Sequence, residues 1–347
     1  MTRRGRGVVA AVAAAALLTL AALYAARLAL ENPLAAGSAD RTVVVEPGDS
    51  LNAVVARLEE SEMLQRPWLF KLAAYITGTA ASIQAGEYRV RASDTHRLLI
   101  DRMVRGEVVQ HYFTIIEGWT VNELLQALPA AEPLVSTLEA QDPEGLAREL
   151  ELAHSHAEGW FFPDTYAYTH GETDADLLLR AHGLMQDRLQ AAWAERAPGL
   201  PLDDPYEALI LASVIERETG IDAERPVIAG VLARRLERRM RLQVDPTVIY
   251  GLGREYAGDI TRAHLREDTP YNTYTRYGLP PTPISLPGEP SLRAAVQPVP
   301  GNYLYYVASA DLDGSHVFNE TLDGHNAAVA MLVQSQRARN GRTAAAE

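Results

Sequence analysis

Residues 206–220 read YEALILASVIERETG, and the fold turns on how this stretch is interpreted. Asp203, Asp204 and Pro205 just ahead supply helix-starting chemistry, and Gly220 supplies a stop. From Ala208 to Ile215 the only polar residue is Ser213, so the pattern predicts a helix buried on nearly every side. Its last turn nevertheless carries two carboxyls. Glu218 continues the stripe of Leu211 and Ile215, while Glu216 follows Ala212 by four, so spacing leaves open which of them turns inward. Two residues apart on a helix they point about 200° from each other, which rules out one site built on both. Acids at a helix C-terminus face the unfavourable end of the dipole, which raises their pKa. A carboxyl protonated near neutrality is what a general acid requires. The plainer alternative is a core-helix end paired with Arg217 or Arg225.

Three neighbouring segments carry further chemistry. EGWFFPDTYAY (158–168) sets Glu158 and Asp164 around an aromatic cluster that would desolvate a carboxylate and raise its pKa, or cap a turn. LARRLERRMRLQVDPTVIYG (232–251) places arginines 234, 235, 238, 239 and 241 on an expected helix, mostly as a solvated face. Arginine's fork matches a carboxylate, so one or two of them are candidates for an anionic substrate. Asp245-Pro246 reads as an N-cap followed by proline at the first helical position. TPYNTYTRYGLPPTPISLPGEPS (269–291) is too rich in Pro and Gly for regular structure, and such long loops are commonly binding loops. Beyond it, YLYYVAS (303–309) and HVFNETL (316–322) read as a hairpin, and His325-Asn326 opens a last helix. Eleven of the fifteen tyrosines follow residue 150, a mild sign of a surface offering aromatic faces to sugar rings.

The 347 residues suggest about two domains, and 47% hydrophobic content is ample for a core. A formal charge of −13, from 32 basic and 45 acidic residues, argues against a nucleic-acid partner. The absence of cysteine excludes disulfides, thiolate metal sites and cysteine nucleophiles. His154 and His156 stand two apart and His316 and His325 nine apart, neither at zinc-motif spacing, and no phosphate-binding loop or dinucleotide fingerprint appears; no metal or cofactor is expected.

Val8 to Ala26 runs uncharged behind Arg3, Arg4 and Arg6. Length and flanking charge predict a single-pass helix over 8–30, a cytoplasmic tail over 1–7, and everything after about Asn32 outside the cytoplasmic membrane. A cleaved signal peptide, with Gly37-Ser38-Ala39 as its site, is the alternative and leaves the same sidedness. Residues 41–128 hold a weak threefold repeat: VVVEPGDSLNAVVARL (43–58), YRVRASDTHRLLIDRM (88–103) and FTIIEGWTVNELLQAL (113–128). Each reads as strand, polar turn and amphipathic helix, with Asp49 or Ser50, Ser93 or Asp94, and Thr120 as caps. These units resemble the LysM fold, a small glycan-binding module; ordinary packing units are the alternative. A helical connector is expected over 129–150, a catalytic domain over 151–335 and a flexible tail over 336–347.

EGWFFPDTY, ASVIERET, RLERRMRLQVDPTVIYG, PYNTYTRYGLPP and YLYYVAS…DGSHVF…HN, in this order, closely resemble the endolytic murein transglycosylases of the MltG (YceG-like) family. The resemblance covers about residues 41–335. It implies an α+β fold: a membrane helix, a LysM-like module, and a mixed catalytic domain with the 206–218 helix central and the hairpin walling a cleft. It also implies a lytic cut of peptidoglycan between N-acetylmuramic acid and N-acetylglucosamine that leaves 1,6-anhydro ends and terminates strand elongation. Glu218, the second glutamate of ASVIERET, is then the acid. PYNTY is similar to the tyrosine–asparagine element of lysozyme-like transglycosylases, making Tyr271, Asn272 and Tyr274 candidates to position sugar. Glu158, Gln243, Asp245 and Thr247 are further candidate cleft residues. Where relatives often read GLPPGPI, this chain has Thr282. The implied partners are glycan strands, the inner membrane, and peptidoglycan synthases and division proteins. The alternatives are a hydrolase using Glu158 or Asp164 to activate water, and a membrane-anchored glycan-binding scaffold.

Overall fold

The computed structural model describes residues 3–31, 33–34 and 40–343, so the possible cleavage site at Gly37-Ser38-Ala39 lies outside the described residues. In chain order the elements are α1 (Arg3–Glu31), β1 (Arg41–Val45), α2 (Leu51–Glu60), α3 (Pro67–Ile76), β2 (Gly86–Val90), α4 (His96–Arg105), β3 (His111–Thr114), α5 (Val121–Ala127), α6 (Pro143–Glu149), β4 (Thr165–Tyr168), α7 (Asp174–Ala194), α8 (Pro205–Glu218), α9 (Arg225–Glu237), α10 (Asp245–Leu252), α11 (Glu289–Val296), β5 (Tyr305–Ala308), β6 (His316–Asn319) and α12 (Leu322–Thr343). Among the described residues helices dominate and the strands form three two-stranded sheets, a mixed α+β architecture. The chain divides into two units: 1–111 with 133–135 and 167–172, and 112–132 with 136–166 and 173–347.

In the first unit β1 and β2 pair antiparallel, Arg41 opposite Val90 and Val45 opposite Gly86, with α2 and α3 between them in sequence. The expected stripe of Leu51, Val54, Val55 and Leu58 is buried, and Ser50 caps α2 through the amide of Ala53. Thr95, not Ser93 or Asp94, caps α4 through the amide of Leu98. Asp94 is taken up elsewhere: it accepts from the Arg91 amide at 2.7 Å and pairs with the buried Arg102 at 2.5 Å. α3 was not legible as a separate helix; Pro67 starts it, and Leu69, Phe70, Ala73 and Ala74 enter the core.

The second unit is built around α8. Asp204 caps it through the amide of Glu207, Pro205 stands in its first turn, and Ala208 to Ile215 are all buried. The helix stops at an extended Thr219 rather than at a left-handed Gly220, because the Thr219 hydroxyl accepts from the amide of Ile221 and starts a new turn. Around α8 pack α7, α9, α10 and α11. Gly159 fixes the EGWFF segment against this core: its φ is +83°, and a Cβ there would lie 2.6 Å from the ring of Pro283. Thr120 heads α5 in a capping box with Glu123.

Three further expectations change. The 129–150 stretch is α-helical only over α6, where Pro143 stands at the start as read, apart from a 3-10 turn over Leu128–Ala130. α9 ends at Glu237, so Arg238, Arg239 and Arg241 follow it instead of extending it. α12 runs through Thr343. The hairpin forms as expected, Tyr305 opposite Asn319 and Ala308 opposite His316.

Candidate active-site groove

The final turn of α8 separates its two glutamates. The Glu216 side chain is 5% exposed, pairs with the equally buried Arg225 at 3.0 Å, and accepts from the Gly288 amide at 3.0 Å. Arg225 also reaches Asp222 and Ser291. Glu216 is therefore spent on joining α8 to α9 and α11. Glu218, which spacing could not distinguish from it, opens into a groove of 520 Å³ walled by Gln243, Asp245, Tyr274, the β5 residues Tyr305 to Ala308, and His325 and Asn326 of α12.

The half-buried Glu218 has its pKa pushed up to about 7, first by desolvation. A hydrogen bond from Tyr306 opposes the rise, the negative charge of Asp245 adds to it, and the Arg235 guanidinium opposes it. Each of these neighbours is itself held. Tyr306 lies edge-on to the His316 ring at 5.6 Å. Asp245 accepts the Tyr274 hydroxyl at 2.5 Å. Arg235 donates to the backbone oxygens of Leu304 and Leu242, at 2.7 Å each, and covers the Tyr305 ring. Rather than forming a solvated face, Arg235 ties the hairpin to the end of α9. Gln243 is in the left-handed region at φ 55°, a strained conformation of the kind found at working sites. Asp245 is not the cap of α10: Val244 holds that position, and the carboxylate is free to meet Tyr274.

A second cavity of 580 Å³ shares Arg217 and Pro246 with the first, so the two adjoin. Asn122, Gln126, Tyr256 and Tyr271 are among its lining residues. Thr282 places its hydroxyl 2.8 Å from the Tyr271 hydroxyl and so fixes that ring.

Gln243, Asp245 and Tyr274 thus share the groove with Glu218, and Tyr271 lines the adjoining cavity. Glu158, Thr247 and Asn272, also expected at the cleft, line neither cavity; all three are buried and bonded within the protein. Glu158 is 0% exposed; its carboxyl accepts from the Val121 amide at 3.0 Å and from the Tyr250 hydroxyl at 3.0 Å. Burial pushes its pKa up to about 8, the direction read from the sequence, but the group anchors α5. Thr247 bonds the Val244 oxygen and Thr273. Asn272 donates to the oxygens of His264 and Glu267 and accepts from the Tyr274 amide, closing its own loop. Asp164 is exposed and bonded to the Thr165 amide. Sequence reasoning missed Tyr306 as a groove residue, and named Arg235 only as one of five candidate arginines; the alternation in YLYYVAS, which sends Leu304 and Tyr306 to one side, was the available signal for the tyrosine. Among the described residues no group of three or more His, Asp or Glu side chains is disposed to hold a metal ion.

A mixed α+β unit whose central helix ends in a glutamate opening on a groove lined in part by tyrosines defines the class of the fold and its candidate site. The chain belongs to the YceG-like family, whose model matches residues 43–331. It is 24% identical over 310 residues to an endolytic murein transglycosylase of Bacillus subtilis, covering 84% of each chain. It is also 24% identical over 329 residues to one of Streptococcus pneumoniae, covering 85% of this chain and 59% of that one. A crystal structure of a putative YceG-like protein from Listeria monocytogenes matches with a TM-score of 0.50 and 26% identity, over 83% of this chain and 98% of that chain.

Proposed function

We propose that this protein is an endolytic peptidoglycan lytic transglycosylase with Glu218 as its acid and base. The observation that carries the reading is the position of Glu218: a carboxyl with its pKa raised to about 7, opening into a groove that continues into a second cavity. Adjoining cavities suit a strand running past the cut on both sides, as an endolytic action requires. Protonated Glu218 gives its proton to the glycosidic oxygen as the C1–O bond of N-acetylmuramic acid breaks. The resulting carboxylate then takes the proton of the same sugar's C6 hydroxyl as that oxygen closes on C1. No water is consumed, and the product carries a 1,6-anhydro end. Asp245 and Tyr274, joined to each other, face the developing positive charge from the groove wall.

A hydrolytic reading survives on one observation: Asp245 is a second carboxylate in the same groove, which neither Glu158 nor Asp164 is. Ordinary glycosidases place two carboxyls around the bond. Mass spectrometry of cleaved strands separates the two. The lytic reading expects products one water lighter than reducing-end fragments, and none from Glu218→Gln. Reducing ends from the wild type would establish hydrolysis, and cleavage by Glu218→Gln at the wild-type rate would remove Glu218 from the chemistry.

The anchor reading rests on α1, whose Val8–Leu28 segment has 21 residues, a mean hydropathy of 2.3 and no burial within the protein. At about 1.5 Å per residue it matches a hydrocarbon layer of ~30 Å. The β1–α2–α3–β2 order of the first unit supports a LysM-like module that holds glycan near the membrane. There the protein would neighbour the synthases and division proteins that the family implies.

A further inference from the structure

The first unit concentrates its exposed apolar surface on α3 and the neighbouring α4. Outside α1, its exposed large hydrophobic residues among the described ones are Trp68 (62% exposed), Tyr75 (66%), Ile76 (60%) and Leu98 (42%), with Val135 (43%) standing apart in the short 133–135 segment. The first three belong to α3 and the fourth to α4, and these are helices against which α1 packs. Trp68, Lys71, Leu72, Tyr75 and Ile76 fall on one face of α3, opposite the face that Phe70, Ala73 and Ala74 bury. That face has no acidic residue. Lys71 lies on it and the exposed Arg66 precedes it, in a chain carrying 45 acids against 32 bases.

The path of the chain fixes how far this face can be from a bilayer. The apolar segment ends at Leu28, Leu30 already packs against the core of the unit, and Leu34 is buried in it with its amide bonded to the Asp94 oxygen. Leu34 follows Leu28 by six residues, at most about 20 Å of extended chain and less where α1 continues to Glu31. The headgroup layer on each side is about 5–8 Å thick. A unit tied this closely to the end of a spanning helix meets that layer, and the helices beside α1 meet it first. Tryptophan and tyrosine settle at this depth, and lysine and arginine beside them pair with anionic phosphates.

We propose that the Trp68–Lys71–Tyr75–Ile76 face of α3 rests in the headgroup layer of the bilayer that α1 spans, holding the first unit flat on the membrane surface. The proposal rests on the anchor reading and extends it from a tether to a fixed orientation. Because the chain has no cysteine, a single introduced cysteine is a unique labelling site. The full chain, reconstituted into nanodiscs containing anionic phospholipid, is spin-labelled at Ala22→Cys, Tyr75→Cys, Ile76→Cys or the exposed α2 position Asn52→Cys. Collision rates are then read with oxygen, which concentrates in lipid, and with a water-soluble nickel chelate. The expected result is lipid-type accessibility at position 22, an oxygen-to-nickel ratio at 75 and 76 severalfold above that at 52, and water-type accessibility at 52. Lipid at 22 with 75 and 76 as wet as 52 overturns the proposal and leaves the anchor standing. Water at 22 removes the anchor and the proposal together. Shielding of 75 and 76 that appears only on adding soluble glycan fragments, or that comes with spin–spin broadening lost on dilution, assigns the face to glycan or to a second copy and also overturns it.

Discussion

Replacing Tyr306 by phenylalanine keeps the ring against His316 and removes one hydroxyl from the groove. That hydroxyl donates to Glu218 and holds its pKa down against burial, so its loss raises the pKa further. A hydrogen bond to a charged group contributes about 1.5–3 kcal/mol. Water entering the vacated position restores part of this, leaving a net loss of roughly 0.7–1.4 kcal/mol, which is about half to one pH unit at ~1.4 kcal/mol per unit. Glu218 must be protonated for the first step, so cleavage falls as pH rises through its pKa. The assay is the pH profile of kcat/KM on glycan strands, whose alkaline limb reports the free enzyme. That limb is expected near pH 7 in the wild type and about half to one unit higher in Tyr306→Phe. Asp245→Asn removes a negative charge that pushes the same pKa up, so its limb moves the opposite way, to lower pH. An unmoved limb in both variants, or a downward move in Tyr306→Phe, would refute the assignment of Glu218 as the titrating acid.

Glu218→Gln should stabilise the fold at neutral pH. The raised pKa means the folded state favours the protonated form, so stability from this group is present below about 4.5 and is lost as pH climbs to about 7. The bound is about 3 kcal/mol, screened by groove water to roughly 1–2 kcal/mol; melting temperatures of variant and wild type should coincide near pH 4 and diverge by pH 7.5. Arg225→Ala leaves the buried Glu216 without its cation and should cost about 3–5 kcal/mol in denaturant titrations, whereas removing the exposed Arg276–Asp268 pair should leave the denaturation midpoint essentially unmoved. Glu158→Ala orphans the Val121 amide and opens a cavity, at about 2–4 kcal/mol, while Glu158→Gln keeps the shape and should retain both fold and cleavage.

The order of elements was legible where local chemistry and burial agree. Asp204 and Pro205 start α8, an unbroken apolar run makes it central, and the Ser50 and Thr120 caps and the hairpin follow the same logic. The site was less legible because its determinants are distant in sequence. Nothing around residue 158 announces that Glu158 will meet the Val121 amide, so a buried anchor looked like a sugar contact. Asn272 looked like a recognition residue because asparagine bonds equally well to a ligand and to its own loop, and only the folded loop discloses the second. Glu216 and Glu218 were equivalent by spacing until Arg225 and Gly288 claimed one of them. The family resemblance implies a hairpin walling the cleft, but which of its tyrosines and which of five arginines act on Glu218 is set by tertiary packing, which places Tyr306 and Arg235 there.

The central claim is that the carboxyl ending α8 keeps a proton to near-neutral pH. Infrared difference titration of the wild type against Glu218→Gln, following the carboxylic C=O band that the substitution deletes, measures this directly. The account predicts a single titration with its midpoint near pH 7. A Glu218 band already lost by pH 5 would contradict it.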